Sequence, residues 1–273
     1  MSDTNLRLHG TAPFRAAVIH GGPGAAGEMA PVARRLSRSI GVLEPLQTAM
    51  SVEGQVEELR QVLVEHAQIP AVLIGFSWGA WLSLLVAAQY PELAGKLILV
   101  SSGPFTESHA AQIHARRLER LDAGEKVEYE AAARGLADSA AADRAELFET
   151  LGRLAAKADA YAPVDEVDDH GDVRMDRRIY SAVWEEAKVM RRSGELLRRA
   201  RLVKCPVVAI HGDADPHPAE GVAEPLSAAV ANFHFEMQAR CGHKPWLERH
   251  AKEEFHRLLL AEVEGWQEMI GVS

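Results

Sequence analysis

Residues 71–88 form an apolar stretch interrupted only by Ser77 and Ser83, long enough on hydropathy alone to suggest a membrane helix. Gly75 and Gly79 argue against that, because they split the stretch into a short run, AVLIG, and a longer one. A buried strand that turns sharply into a buried helix fits both pieces. A strand buried on both faces belongs to a parallel sheet covered by helices, and this constrains the fold more than any other segment.

The rest of the chain agrees. Runs rich in β-formers at 15–20, 40–43, 71–75, 96–100, 206–211 and 233–239 alternate with helical patterns. Val52, Val56, Leu59, Val62 and Leu63 recur at helical spacing, with Ser51 as N-cap. From 104 to 203 the β signal gives way to Ala, Arg, Glu and Leu, which predicts a helical cap inserted into a core made of residues 1–103 and 204–273. The predicted fold class is α/β: a mostly parallel sheet, helices on both faces, and the cap. With 273 residues, 47% of them hydrophobic, the chain can bury a substantial core.

Charge narrows the function. A formal net charge of -9 repels a phosphate backbone, so nucleic acid is not an expected partner. The first residues are polar and lack the apolar core of a secretory signal, so the expected location is the cytoplasm, with no membrane partner. Cys205 and Cys241 lack metal-ligand spacing, and the strand between them separates them too far for a disulfide. The acidic stretch 165–172 matches no calcium or zinc pattern and is expected to be solvated, as is the basic run Arg191, Arg192, Arg198, Arg199, Arg201 and Lys204.

The chemistry starts at Gly75-Phe76-Ser77-Trp78-Gly79-Ala80. Gly-x-Ser-x-Gly between a strand and a helix is where a nucleophile elbow belongs: the turn lifts Ser77 above the sheet, and small neighbours let the two backbones approach. A serine attacking a carbonyl needs donors for the oxyanion, and His20-Gly21-Gly22-Pro23-Gly24 follows a strand. The Gly22 and Trp78 amides are the expected donors, with His20 fixing the turn. The base and its carboxylate should follow the serine in the chain. His211-Gly212-Asp213-Ala214-Asp215-Pro216-His217-Pro218 and Cys241-Gly242-His243-Lys244-Pro245-Trp246 both sit on loops after strands, where open sheets place their sites. Asp215 is preferred to Asp213 as the acid, and His243 is the expected base because His250 and His256 fall in a helical pattern and His234 in a strand.

Together these motifs resemble the α/β-hydrolase superfamily, and HGGPG with GFSWGA resembles its proline iminopeptidase branch. The resemblance implies Ser77 as nucleophile, Asp215 as acid and His243 as base, without metal or organic cofactor. The segments at 41–48, 183–187, 215–221 and 241–249 are similar to a group of prokaryotic α/β-hydrolases of undefined substrate. Two departures stand out: Glu44-Pro45 replaces the family's usual Asp and Gly-rich turn, and the N-terminus is too short for the full leading hairpin.

In the cap, Tyr180 to Glu186 resembles the iminopeptidase segment whose glutamate binds a free amine, which implies substrate contacts for Trp184, Glu185 and Glu186. By spacing alone the same residues read as a surface helix with one packed Trp. The expected function is hydrolysis of a small carboxylic ester through an acyl-enzyme on Ser77. An aminopeptidase acting on an amide is the alternative within enzymes, and a small-molecule receptor on the same fold the alternative outside them. Oligomeric state has no signal in the sequence.

Overall fold

The computed structural model describes residues 5–137, 143–164, 173–269 and 271, so the acidic stretch 165–172 lies outside the described residues. Among the described residues the chain forms nine strands: β1 Leu6–His9, β2 Phe14–Ile19, β3 Ala25–Ala26, β4 Gly41–Pro45, β5 Ala67–Phe76, β6 Ala94–Val100, β7 Arg174–Met175, β8 Val207–Gly212 and β9 Phe233–Gln238. Seven of them make one sheet in the order β1-β4-β2-β5-β6-β8-β9. Only β1 runs antiparallel to its neighbour; the other pairings are parallel, for instance Val72↔Lys96 through Phe76↔Val100 between β5 and β6.

Two apolar layers cover the sheet. Side chains alternate along each strand, so β5 sends Leu73 to one face and Val72 and Ile74 to the other. The first face buries the helices Val52–His66 and Trp78–Gln89; the second buries the helix Ala30–Leu36 and the C-terminal helix Lys252–Met269. Ser51 caps its helix as expected, its Oγ accepting from Gly54 N at 3.1 Å.

The sequence pattern does not predict strand β1. Its four residues pair with β4, and His9 Nε2 reaches 2.7 Å from Glu44 Oε2, with Arg7 at 3.8 Å. The unusual Glu44 is fully buried, and this edge strand supplies its partners. The described residues between β6 and β8 are mostly helical, except that β7 pairs with β3 beside the Gly-rich turn. Its last helices, Arg177–Arg192 and Glu195–Ala200, put Val183, Ala187, Leu196 and Ala200 into the same cluster as the first sheet face, while Leu121, Tyr129, Leu154 and Ala158 form a small cluster of their own. No described helix is long and apolar enough to cross a membrane. Both cysteines are free thiols.

Candidate active site

Four loops meet at the carboxyl edge of the sheet, following β2, β5, β8 and β9. After β5 the chain reverses into a helix at Ser77, whose backbone sits at φ 52° and ψ −110°, a conformation unfavourable for a residue with a Cβ. Neighbours hold it there. A Cβ on Gly75 would lie 2.2 Å from Gly79 O, and one on Gly79 would lie 2.2 Å from Ile19 O, so the elbow closes only with glycine at both positions. Trp78 is the first helical residue, and its amide has no acceptor within the helix. Gly22, Ser77 and Trp78 line one cavity of about 740 Å³ together with His243.

The Gly-rich turn is braced from below. His20 is buried, and burial keeps it neutral; its Nδ1 donates to Gly21 O at 2.8 Å, leaving Nε2 to accept from Gln47 N. This agrees with a turn-fixing role. Gly21 N donates to Glu28 Oε2 at 3.1 Å, and Glu28 Oε1 lies 2.8 Å from Lys244 Nζ. Glu28 beside it keeps the Lys244 ammonium charged against its burial.

Asp213 and Asp215 divide their tasks. The Asp213 carboxylate accepts from Cys241 N at 3.1 Å, and Ala214 N donates to Cys241 O at 2.9 Å, which fastens the loop after β8 to the loop after β9. Asp215 Oδ2 then lies 2.7 Å from His243 Nδ1. A carboxylate only accepts, so Nδ1 carries the proton and Nε2 is the free nitrogen. Burial opposes a charge on His243, but the Asp215 charge and hydrogen bond outweigh it and raise the imidazole above its ordinary range. Burial likewise opposes ionisation of Asp215, and the surrounding histidines override it, holding the carboxyl well below the usual range. Phe76 packs beneath His243 at 4.9 Å between ring centroids, and His243 N donates to Asp159 O at 2.8 Å.

Sequence reasoning misses His217. Its Nδ1 donates to Asp215 Oδ1 at 2.8 Å, and its ring stacks on His243. His211 Nε2 in turn donates to the His217 carbonyl at 2.8 Å. The signal is present in DADPHP, but a histidine two residues past an aspartate reads as a loop residue until the carboxylate's second oxygen is known to face it. Asp215, His217 and His243 also lie close enough to be metal-ligand candidates. Both Nδ1 atoms are already hydrogen-bonded to Asp215.

Of the residues expected to contact substrate from the inserted helical segment, Trp184 lines the cavity, stacked on Trp81 at 5.8 Å. Glu185 and Glu186 are not brought to it. Glu186 Oε2 accepts from Val52 N at 2.7 Å, Glu185 pairs with Lys188, and both line a separate groove. The reason is helical phase: at about 100° per residue they point away from the side that Tyr180 and Trp184 share. Arg117, another residue the sequence does not single out, also lines the cavity, gripping Asp159 through two bonds of 2.7 and 2.6 Å.

Residues 23–248 match the family model described as alpha/beta hydrolase fold, so the chain belongs to that family. Solved structures bear out the architecture. The crystal structure of VinJ superposes with a TM-score of 0.67 at 18% identity, over 96% of this chain and 94% of that one. A proline iminopeptidase from Mycobacterium smegmatis gives 0.63 at 15% identity, over 97% and 95%. E-2-(acetamidomethylene)succinate hydrolase gives 0.61 at 18%, over 95% and 94%. No curated protein matches the sequence.

Proposed function

We propose that the chain is a serine hydrolase that cleaves carboxylic esters through an acyl-enzyme on Ser77. The 2.7 Å hydrogen bond from His243 to Asp215, at the cavity that strained Ser77 lines, carries this reading. Ser77 Oγ attacks the ester carbonyl carbon while its proton passes to His243 Nε2. The Gly22 and Trp78 amides hold the oxyanion, and the helix that begins at Trp78 adds its positive end. Collapse of the tetrahedral intermediate breaks the bond to the leaving oxygen, which takes the proton from His243. Water then repeats the attack on the acyl-enzyme and releases the acid. Asp215 holds the imidazole in the tautomer this requires and stabilises the imidazolium.

Amine capture by a carboxylate, as an aminopeptidase would need, has weaker support. Glu185 and Glu186 sit elsewhere, while Glu28, Asp159 and Glu248, which do line the cavity, are held by Lys244, by Arg117 and by backbone amides respectively. The test is turnover of p-nitrophenyl acetate together with labelling by a methylphosphonate p-nitrophenyl ester. Stoichiometric label on Ser77 with loss of turnover is expected. Turnover that survives Ser77→Ala would overturn the assignment.

A further inference from the structure

Ser77 lines two adjoining spaces of very different size. One is the cavity of about 740 Å³ that His243 and Gly22 also line; the other is a pocket of about 30 Å³ that shares Trp78, Ile113, Trp184 and His217 with it. From the geometry we infer that the substrate carries a short acyl group, acetyl or propionyl, on a much larger leaving group, with the acyl chain in the small pocket. This rests on the serine-hydrolase reading and adds the substrate class to it.

Proton transfer assigns the two sides. The leaving oxygen must take its proton from His243, so the leaving group lies where His243 is exposed. His243 lines the large cavity and not the small one. What remains bonded to the carbonyl carbon is then left the small pocket, which Ser77 lines but His243 does not. Trp81 and Pro104 line this pocket and not the large cavity, whereas Trp78, Trp184 and Ile113 line both. About 30 Å³ is room for about two groups of water or methyl size, at about 10–15 Å³ each.

The walls are fixed by bonds that a longer chain would have to break. Trp81 Nε1 donates to Gly103 O at 3.0 Å and Trp78 Nε1 to Gln55 Oε1 at 2.8 Å. The Arg191 guanidinium, which also lines the pocket, lies 5.8 Å from the Trp81 ring centroid and bonds Glu107 at 3.0 Å, a cation already paired. The described lining of this pocket contains no carboxylate, so it suits an unsubstituted alkyl group rather than an α-amino one.

The test is kcat/KM for 2-naphthyl acetate, propionate, butyrate and octanoate, with methylphosphonate labelling of Ser77 run beside it. Acetate and propionate should agree within about tenfold, with butyrate at least about tenfold below propionate and octanoate about 100-fold below acetate or more. Ile113→Ala and Trp184→Ala, which enlarge the pocket where it adjoins the large cavity, should each raise the octanoate to acetate ratio about tenfold or more. If Ser77 is labelled but octanoate is cleaved as well as acetate, or neither variant moves the ratio, the acyl-pocket assignment is wrong while the nucleophile stands. If Ser77 is not labelled and no ester is cleaved, both readings fall together.

Discussion

The imidazole of His217 lies on that of His243 with ring centroids 4.2 Å apart, and the two rings bind opposite oxygens of one carboxylate, Asp215. Two stacked imidazoles cannot both carry charge cheaply. Burial, and then the charge on His243, push His217 down to about 4, whereas Asp215 raises His243 in spite of its burial. The pair therefore takes up its first proton on His243.

With His243 as the proposed base, this sets the acid limb of the activity. A base must be neutral to work, so raising its pKa moves the limb to higher pH, above the ordinary histidine value of about 6.5. Plotted against pH, kcat/KM for p-nitrophenyl acetate should fall about tenfold per unit below the limb, following one proton, until His217 titrates near 4. A two-proton slope between pH 5 and 7 would show that the rings titrate together. EDTA should leave the curve unchanged.

His217 should tune that limb without taking part in proton transfer. Its hydrogen bond draws on the Asp215 charge that would otherwise act on His243 alone. His217→Phe keeps a ring on His243 but removes the side-chain donor, so the limb should move to higher pH, lowering kcat/KM on the limb itself while the alkaline plateau is kept. His217→Asn, which restores an N–H near Asp215, should bring the limb back. A limb that stays in place in the Phe variant would rule the tuning role out.

The proposed triad should show the non-additivity of groups that act as a unit. Ser77→Ala and His243→Ala should each lower kcat/KM by about 10³-fold or more, and the double variant little further. Asp215→Asn should lose far more than Asp213→Asn, because an asparagine at 213 still presents an oxygen to Cys241 N. Circular dichroism of each variant separates lost chemistry from lost fold.

Most of the sheet and the chain order of the site are readable in the sequence because both depend on local pattern. The elbow needs glycines two residues to either side of Ser77, and a strand buried on both faces needs a continuous apolar run. What is not readable depends on partners distant in sequence. Leu6–His9 is too short to announce itself and becomes a strand by pairing with β4. The Lys244–Glu28 and Arg117–Asp159 pairs join residues from different loops and helices. Resemblance puts Glu185 and Glu186 near substrate, but the direction they face follows from Val183 and Ala187 turning into the core.

Packing of the C-terminal helix against β6 gives a sharp stability test. A Cβ on Gly95 would lie 1.9 Å from the Trp266 ring, which is itself buried. Gly95→Ala should cost about 1–3 kcal/mol, read as a lower urea midpoint with little change in slope. Adding Trp266→Leu makes room for the methyl, so the double variant should be less destabilised than the sum of the singles. Simple additivity would mean that the two positions do not share the space.

Glu248 fastens the chain at Tyr161 and Ala162 to the loop that carries His243. Its carboxylate accepts from Tyr161 N at 2.8 Å, Ala162 N at 2.7 Å and Gly242 N at 3.1 Å, the last of these next to His243. The side chain is buried, so Glu248→Ala strands three amides that water reaches poorly, each worth about 1–3 kcal/mol if left wholly unpaired. Some will find other acceptors, and a net loss of about 3 kcal/mol is expected in denaturant unfolding. Glu248→Gln keeps one carbonyl oxygen but turns an NH₂ toward an amide donor, so its loss should fall between the two. Activity should fall along with stability, because Gly242 fixes the backbone that carries His243. An Ala variant as stable as wild type and equally active would show that the loops hold their positions without this carboxylate.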